Sequence, residues 1–236
     1  MNPQVIDTPQ VIVYARTVSQ DPAELAGLAA LLDDTERERA SRRSTPGRFI
    51  TAHALLRTVA GEWTGQPAAK VAFERECVTC GSTAHGKPVV RGHDDVFVSL
   101  SYAGDLALVS ATLVGQTGVD VEQVAGAAFE GFEAVTLAGD ELPGFEGVAS
   151  GDLAAARARV WARKESVLKA SGHGLVVDPR QVVVTAPSLP AALVQWRGDH
   201  PLTAPAQLYD VALPDQRYAA AVTVLTDVAL EVQVRC

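Results

Sequence analysis

Two carboxylates spaced two residues apart, Asp120 and Glu122 in Gly118-Val119-Asp120-Val121-Glu122, are the first side chains in this sequence that could do chemistry. On a β-strand, Val119 and Val121 turn to one face while both carboxylates project from the other. Oxygen ligands held together on a rigid face suit a hard divalent cation such as Mg²⁺, which keeps waters and phosphate oxygens in its remaining positions. Any half-exposed strand alternates in the same way, so the pair gains meaning only from its partners. A second segment, Trp161-Ala162-Arg163-Lys164-Glu165-Ser166-Val167-Leu168-Lys169, reads as an amphipathic helix with Leu153, Val160 and Val167 on one stripe. Glu165 and Lys169 lie at the edge of that stripe, four residues apart, the spacing of an ordinary helical salt bridge. Lys164 falls inside the stripe, where a lysine needs a route to water or an anion. A cleft holding a phosphate or a carboxylate would satisfy it.

A third segment joins Gly86-Lys87-Pro88 to a strand carrying Ser99, Ser101 and Tyr102. With Gly81 it gives G-x-x-x-x-G-K, but Pro88 stands where a P-loop needs a hydroxyl and the start of a helix. Ser101 lacks the flanking glycines of a hydrolase nucleophile elbow. Only four lysines occur against sixteen arginines, and Lys87, Lys164 and Lys169 all fall in these segments, as expected if ammonium groups meet a pyrophosphate. Cys77, Cys80, His85 and His93 could supply four zinc ligands, but their spacing fits no common site and no second C-x-x-C exists, so two reduced cysteines in a turn are the expected reading. His53, inside a helix, and Gly172-His173-Gly174, at a helix end, read as packing and termination.

The elements that must position these groups follow from periodicity and turn residues. Strands are expected at 11–16, near 70–75, 88–90, 96–101, 106–114, 118–124, 181–185, 206–213, 217–225 and 228–234. Helices are expected at 22–32, from Thr45-Pro46 to about 63, weakly at 129–137, and at 152–171 with Asp152 as N-cap and Gly172 as stop. The pattern of helices followed by strands occurs twice, which predicts an α+β protein of two similar halves, 1–114 and 115–236, with a site between them. The 236 residues are 47% hydrophobic and 20% charged, an ordinary globular profile. No apolar run has membrane length and the N-terminus lacks a secretion pattern, so a cytoplasmic, membrane-free monomer is expected. The net charge of −8 argues against nucleic acid as a partner. Two local basic runs, six arginines in 36–57 and five basic residues in 157–169, suggest specific anionic ligands.

Taken in order, these segments resemble the Sfp-type 4′-phosphopantetheinyl transferases. G-V-D-V-E at 118–122 and W-A-R-K-E-S-V-L-K at 161–169 look like that family's two signature motifs at their usual separation. Gly86-Lys87-Pro88 and the S-x-S segment at 99–101 sit where the family has theirs, and Arg48 and Arg57 beside Leu55 and Leu56 are similar to its basic helix. The likeness covers roughly residues 36–185. It implies a pseudo-twofold fold holding coenzyme A between two α/β subdomains, and transfer of the phosphopantetheine arm to a serine of an acyl, peptidyl or aryl carrier protein of fatty acid, polyketide or nonribosomal peptide synthesis. It further implies Mg²⁺, with Mn²⁺ as the alternative, on Asp120, Glu122 and Glu165. Glu165 would take the serine proton, Lys169, Lys164 and Lys87 with Pro88 would meet the phosphates, Ser101 and Tyr102 the 3′-phosphate region, and Arg48 and Arg43 the nucleotide end. The family usually has histidine where Tyr102 stands, so one cation is lost at that subsite. A non-catalytic coenzyme A-binding protein and a metal-dependent phosphodiester hydrolase are the alternative readings of the same residues.

Overall fold

The structure is a computed structural model that describes residues 9–76, 81–82 and 86–236. Cys77, Cys80 and His85 therefore lie outside the described residues. Strand β1 (Gln10–Thr17) begins a six-stranded sheet with β2 (Phe73–Glu76), β3 (Lys87–Val90), β4 (Phe97–Ala103), β5 (Leu106–Thr112) and β11 (Glu231–Arg235), in the order β11-β1-β5-β4-β3-β2. All neighbours are antiparallel except β11, which runs parallel to β1 with Val11 opposite Val232. A smaller sheet holds β6 (Thr117–Gln123), β10 (Tyr218–Leu225) and β9 (Ala206–Asp210), and β7 (Val182–Val184) pairs with β8 (Leu193–Trp196). The helices are α1 (Pro22–Ala29), α2 (Asp34–Ser41), α3 (Pro46–Thr64), α4 (Phe132–Thr136) and α5 (Leu153–Ser171). The fold is α+β, and the last strand of the 115–236 segment completes the sheet of the first.

Alternation along the strands generates four layers. Ile12, Val98 and Val109 point from the large sheet to Ala52, Leu56 and Val59 of α3. Val11, Val13 and Leu108, one residue out of phase, point the other way and bury against Val119, Val121, Val222 and Val224 of the small sheet. The remaining face of that sheet meets α5 through Ala221 and Leu208 against Ala158, Ala162 and Leu168. Each fully buried valine or leucine contributes about 1.5–3 kcal/mol, so these three seams hold the layers together. The seam between the sheets also carries small polar groups. Ser110 donates to Thr117 at 3.0 Å, Thr117 donates to the carbonyl of Thr223 at 3.1 Å, and Thr223 donates to Ser166 of α5 at 2.7 Å.

The strands and long helices fall close to their expected places, with instructive differences. Helix α2 is invisible to periodicity because its residues, Asp-Thr-Glu-Arg-Glu-Arg-Ala-Ser, form no apolar stripe. It forms through a capping box in which Asp33 accepts from the Glu36 amide and Glu36 accepts from the Asp33 amide, an arrangement of the type that contributes about 1 kcal/mol. Pro46 opens α3 as expected, but neither Thr45 nor Asp152 caps its helix through the side chain. Gly172, at φ 79°, ends α5 in the left-handed conformation that favours glycine.

Of the six arginines in 36–57 only Arg57 is buried, as an internal tie; Arg37 and Arg42 pair on the surface, and Arg43 and Arg48 are exposed. Arg57, 2% exposed, donates to Glu36 and Asp33 at 2.6 Å each, and Arg37 and Arg42 pair with Asp34 and Glu38. His53 completes the cluster at 3.0 Å from Glu36, and burial pushes its pKa down. Burial alone would raise the Glu36 carboxyl, but the bonds from His53 and Arg57 overcome it and hold the pKa at about 2. The folded value lies below the usual 4.5, so this contribution to stability is complete above that value and is lost as pH falls toward 2. Chemical denaturation of a Glu36→Gln variant across that range is expected to show a lower stability at neutral pH and a shallower acid decline than the parent.

Gly118 sets the distance between β6 and α5. A Cβ on it would collide with the Ser166 carbonyl oxygen and the Ala170 amide nitrogen, and backbone cannot swing aside as a side chain can. A Gly118→Ala variant is expected to lose on the order of 3 kcal/mol in urea unfolding and to push α5 off the sheet; unchanged stability would show that the helix has room to move.

Candidate active site

Strand β6 and helix α5 bring the two sequence signatures face to face. Asp120 and Glu122 point toward α5, opposite Val119 and Val121, because the strand alternates. Lys169 reaches back from the last turn of α5, donating to Asp120 Oδ1 at 2.6 Å and to Ser101 Oγ at 2.9 Å. Ser101, on β4, in turn donates to the same Asp120 oxygen at 2.8 Å. Trp161, two turns earlier on α5, donates its indole N–H to Glu122 at 3.0 Å. Three elements distant in sequence thus fix one triangle of hydroxyl, carboxylate and ammonium.

The electrostatics of this triangle favour a cation. Asp120 is 2% exposed, and its Oδ2, like Oε1 of Glu165, has no hydrogen-bond partner among the described residues. Burial drives the Asp120 pKa up against the pull of Lys169. Glu122 rises to about 7 from burial and the neighbouring Asp120, and Glu165 rises to about 7 for the same two reasons. Buried carboxylates without partners cost free energy that a hard divalent cation would recover, and all three donors are of the oxygen type it takes. As they stand, the described residues form no ready cluster of three acidic or imidazole groups around a point, and the Lys169 ammonium is the cation that Asp120 meets. The residues fit a divalent ion in kind, with Lys169 as the competing charge.

Beside this triangle opens a cleft of about 420 Å³ lined by Lys87 and Pro88 of β3, Ser99 and Leu100 of β4, and Lys169 of α5. Lys87 is held by the carbonyl of Ala170 at 3.2 Å, and burial lowers its pKa to about 7. Two further residues line the cleft that the sequence did not single out as ligands, Arg75 of β2 and His173 after α5. Arg75 belongs to a four-residue strand with no motif around it, and His173 looks like part of a helix stop. Neither carried a sequence signal.

Other expected site residues go elsewhere. Lys164 is fully buried and faces away from the cleft, donating to Glu141 at 2.5 Å and to the carbonyls of Val182 and Pro179 at 2.7 and 3.1 Å. The anion its position demanded is therefore the protein's own carboxylate. Glu141 also accepts from the amides of Ala138 and Val184, so the pair ties the loop before α5 to β7. The rest of the 157–169 run likewise bonds to the protein's own groups, Arg159 from an exposed position. Arg163 clamps Asp210 and the carbonyls of Thr185, Ala186 and Leu189, Arg157 pairs with Glu133, and Arg159 donates to Pro187. Only Lys169 of the five reaches the site. Arg43 and Arg48 are exposed at the start of α3, outside the cleft lining, with Arg43 over the Phe49 ring at 5.6 Å. Tyr102 packs with Leu100 against the core beneath α3.

Residues 116–223, which include β6, α5 and β10, match the family model of the 4′-phosphopantetheinyl transferase superfamily. The chain is also 26% identical over 222 residues to the 4′-phosphopantetheinyl transferase HetI of Nostoc sp., covering 91% of this chain and 87% of that protein.

The two lysines of α5 should separate cleanly by experiment. Removing one partner of a buried ion pair costs about 3–5 kcal/mol because the other charge is stranded. Thermal and urea unfolding of Lys164→Met should show a loss of that size, whereas Lys169→Met strands the buried Asp120, whose carboxyl burial already pushes toward the protonated form, so its loss should shrink as pH falls; losses that stay equal at every pH would contradict the division drawn between them.

Proposed function

We propose that this chain, which belongs to the 4′-phosphopantetheinyl transferase superfamily, moves the phosphopantetheine arm of coenzyme A onto a serine hydroxyl of an apo acyl, peptidyl or aryl carrier protein, releasing adenosine 3′,5′-bisphosphate. The observation that carries the reading is the bond of Lys169 to Asp120, with Glu122 and Glu165 in electrostatic reach of both, beside a cleft of cationic and apolar lining. Its Sfp-type character rests on the ordered motifs from Gly86-Lys87-Pro88 to Lys169.

In this reaction the serine oxygen bonds to the phosphorus that bears the pantetheine arm, and the bond from that phosphorus to the bridging oxygen of the nucleotide breaks. Glu165, with one oxygen free of partners, accepts the serine proton, directly or through a water. Lys169 and Lys87 hold the pyrophosphate as point charges, and Lys169 exchanges its hold on Asp120 for the substrate. Ser101 keeps Asp120 oriented while this happens. Asp120, Glu122 and Glu165 would hold Mg²⁺, or Mn²⁺, whose chemistry when bound is to neutralise charge on the pyrophosphate. The cleft between residues 1–114 and 115–236, read as two lobes, would take coenzyme A, with lining from both segments in support. No helix among the described residues is long and apolar enough to cross a membrane, and the net charge of −8 disfavours nucleic acid; we place the reaction in the cytoplasm with a monomeric enzyme.

Intact-protein mass spectrometry of an apo carrier protein incubated with the enzyme, coenzyme A and Mg²⁺ tests this directly. The carrier should gain one phosphopantetheine, and chelation of the metal or Asp120→Ala should abolish the gain without unfolding the enzyme. Glu165→Gln should slow transfer by roughly 10²–10⁴-fold, the usual contribution of a positioned proton acceptor. Failure to modify carriers of all three types would overturn the transfer.

A further inference from the structure

Trp161 is the sole aromatic side chain of α5, and the mechanism above gives it no part. Its half-buried ring packs against the core of the 115–236 segment, and its indole N–H donates to Oε1 of Glu122 at 3.0 Å. Among the described residues this is the single hydrogen bond to the Glu122 carboxylate. The ring is itself held in place. Phe132 of α4, fully buried, meets it edge-on with centroids 6.4 Å apart, and the Arg157 guanidinium lies 5.4 Å from the centroid of the Phe132 ring. Arg157, one turn before Trp161 on α5, is fixed in turn by its pair with Glu133 at 2.5 Å. A donor whose rotamer is locked by packing holds its acceptor in one orientation.

The two carboxylates of β6 receive donors of different charge. Lys169 brings an ammonium to Asp120, which neutralises that carboxylate and competes with any added cation. The indole N–H of Trp161 donates without carrying charge. It fixes the plane of the Glu122 carboxyl and leaves the negative charge for a cation to meet. Burial, together with the Asp120 charge beside it, makes that negative charge costly in the empty protein, so a metal gains most at this oxygen pair. Carboxylates that ligate metals are commonly hydrogen-bonded by an outer partner, and losing the partner costs about 10–100-fold in metal affinity. We propose that Trp161 is the positioning residue of the cation site, its indole N–H orienting Glu122 for a divalent metal. This assignment rests on the divalent metal of the proposed reaction but not on turnover.

Electron paramagnetic resonance of Mn²⁺, added alone and with one equivalent of coenzyme A, tests it without carrier protein. Trp161→Phe, which keeps a ring and loses the N–H, should weaken Mn²⁺ by about 10–100-fold. Replacing Trp161 by benzothienylalanine, the same shape with sulfur in place of the N–H, keeps the packing and should give the same loss even if the Phe variant is destabilised. In a Glu122→Gln background, Trp161→Phe should change Mn²⁺ affinity by less than about twofold, because the indole acts through that carboxylate. Bound Mn²⁺ quenches a nearby indole, so tryptophan emission of the parent should fall on titration, and the fall should vanish in Trp161→Phe, which retains Trp63 and Trp196. Unchanged affinity in the benzothienylalanine variant, equal losses with and without the Glu122 carboxylate, quenching that persists without Trp161, or a parent that binds no Mn²⁺ in either arm would overturn the assignment. The two proposals fail separately: a protein that loses Mn²⁺ through Trp161 but modifies no carrier refutes only the transfer, and one that modifies carriers with a metal affinity indifferent to the indole refutes only Trp161.

Discussion

The close approach of α5 to β6 is the contact on which the molecule depends. Gly118 has no side chain because the backbone of Ser166 to Ala170 occupies the space where one would be. At that distance Lys169 can reach Asp120, and Trp161 can reach Glu122, within hydrogen-bonding range. A wider gap would leave two rows of buried charge facing each other without contact. The same approach lets Ser166 meet Thr223 and so ties the helix to both strands beneath it. Packing and chemistry are thus one constraint here, since the spacing that fills the seam also sets the reach of the ammonium.

Around that contact the protein treats its charges in two ways. Arg57, Arg163 and Lys164 are buried with their donors matched to carboxylates and carbonyls. These hold segments without regular structure, such as the loop before α5 and the stretch from 185 to 190, whose carbonyls would otherwise lack partners. Asp120 and Glu165 are the opposite case, each with an oxygen unpartnered among the described residues. Satisfied buried charge fixes shape, whereas unsatisfied buried charge stores unfavourable energy that a ligand of the right sign releases. The imbalance is concentrated at the cleft.

Much of this was legible in the sequence. Alternation in β1, β4, β5, β6 and β10 is strong because each strand has one face in a seam, and Gly172 and Pro46 mark helix ends by backbone geometry alone. The pairing of Asp120 with Glu122 follows from the period of a strand. Helix α2 was not legible, because its stability comes from a capping box and from Glu36 reaching Arg57, 21 residues away on α3. β8, with its outward-facing valine, was equally silent.

The sequence by itself determined most of the local objects: the strands apart from β8 and the α-helices apart from α2, which residues share a face, and that carboxylates and lysines resembling the family's stand in its order. What only the tertiary structure decided is where each charge spends itself. Lys164 and Lys169 are five residues apart on one helix, yet one is consumed by Glu141 and the other faces the cleft. Arg57 and Arg75 are both arginines near Glu36, yet one takes the carboxylate and the other is left without it. The physical reason is that a charge is neutralised by whatever lies within a few ångströms in space, and those neighbours, 23 residues away for Lys164 and 49 for Lys169, are set by packing rather than by sequence proximity.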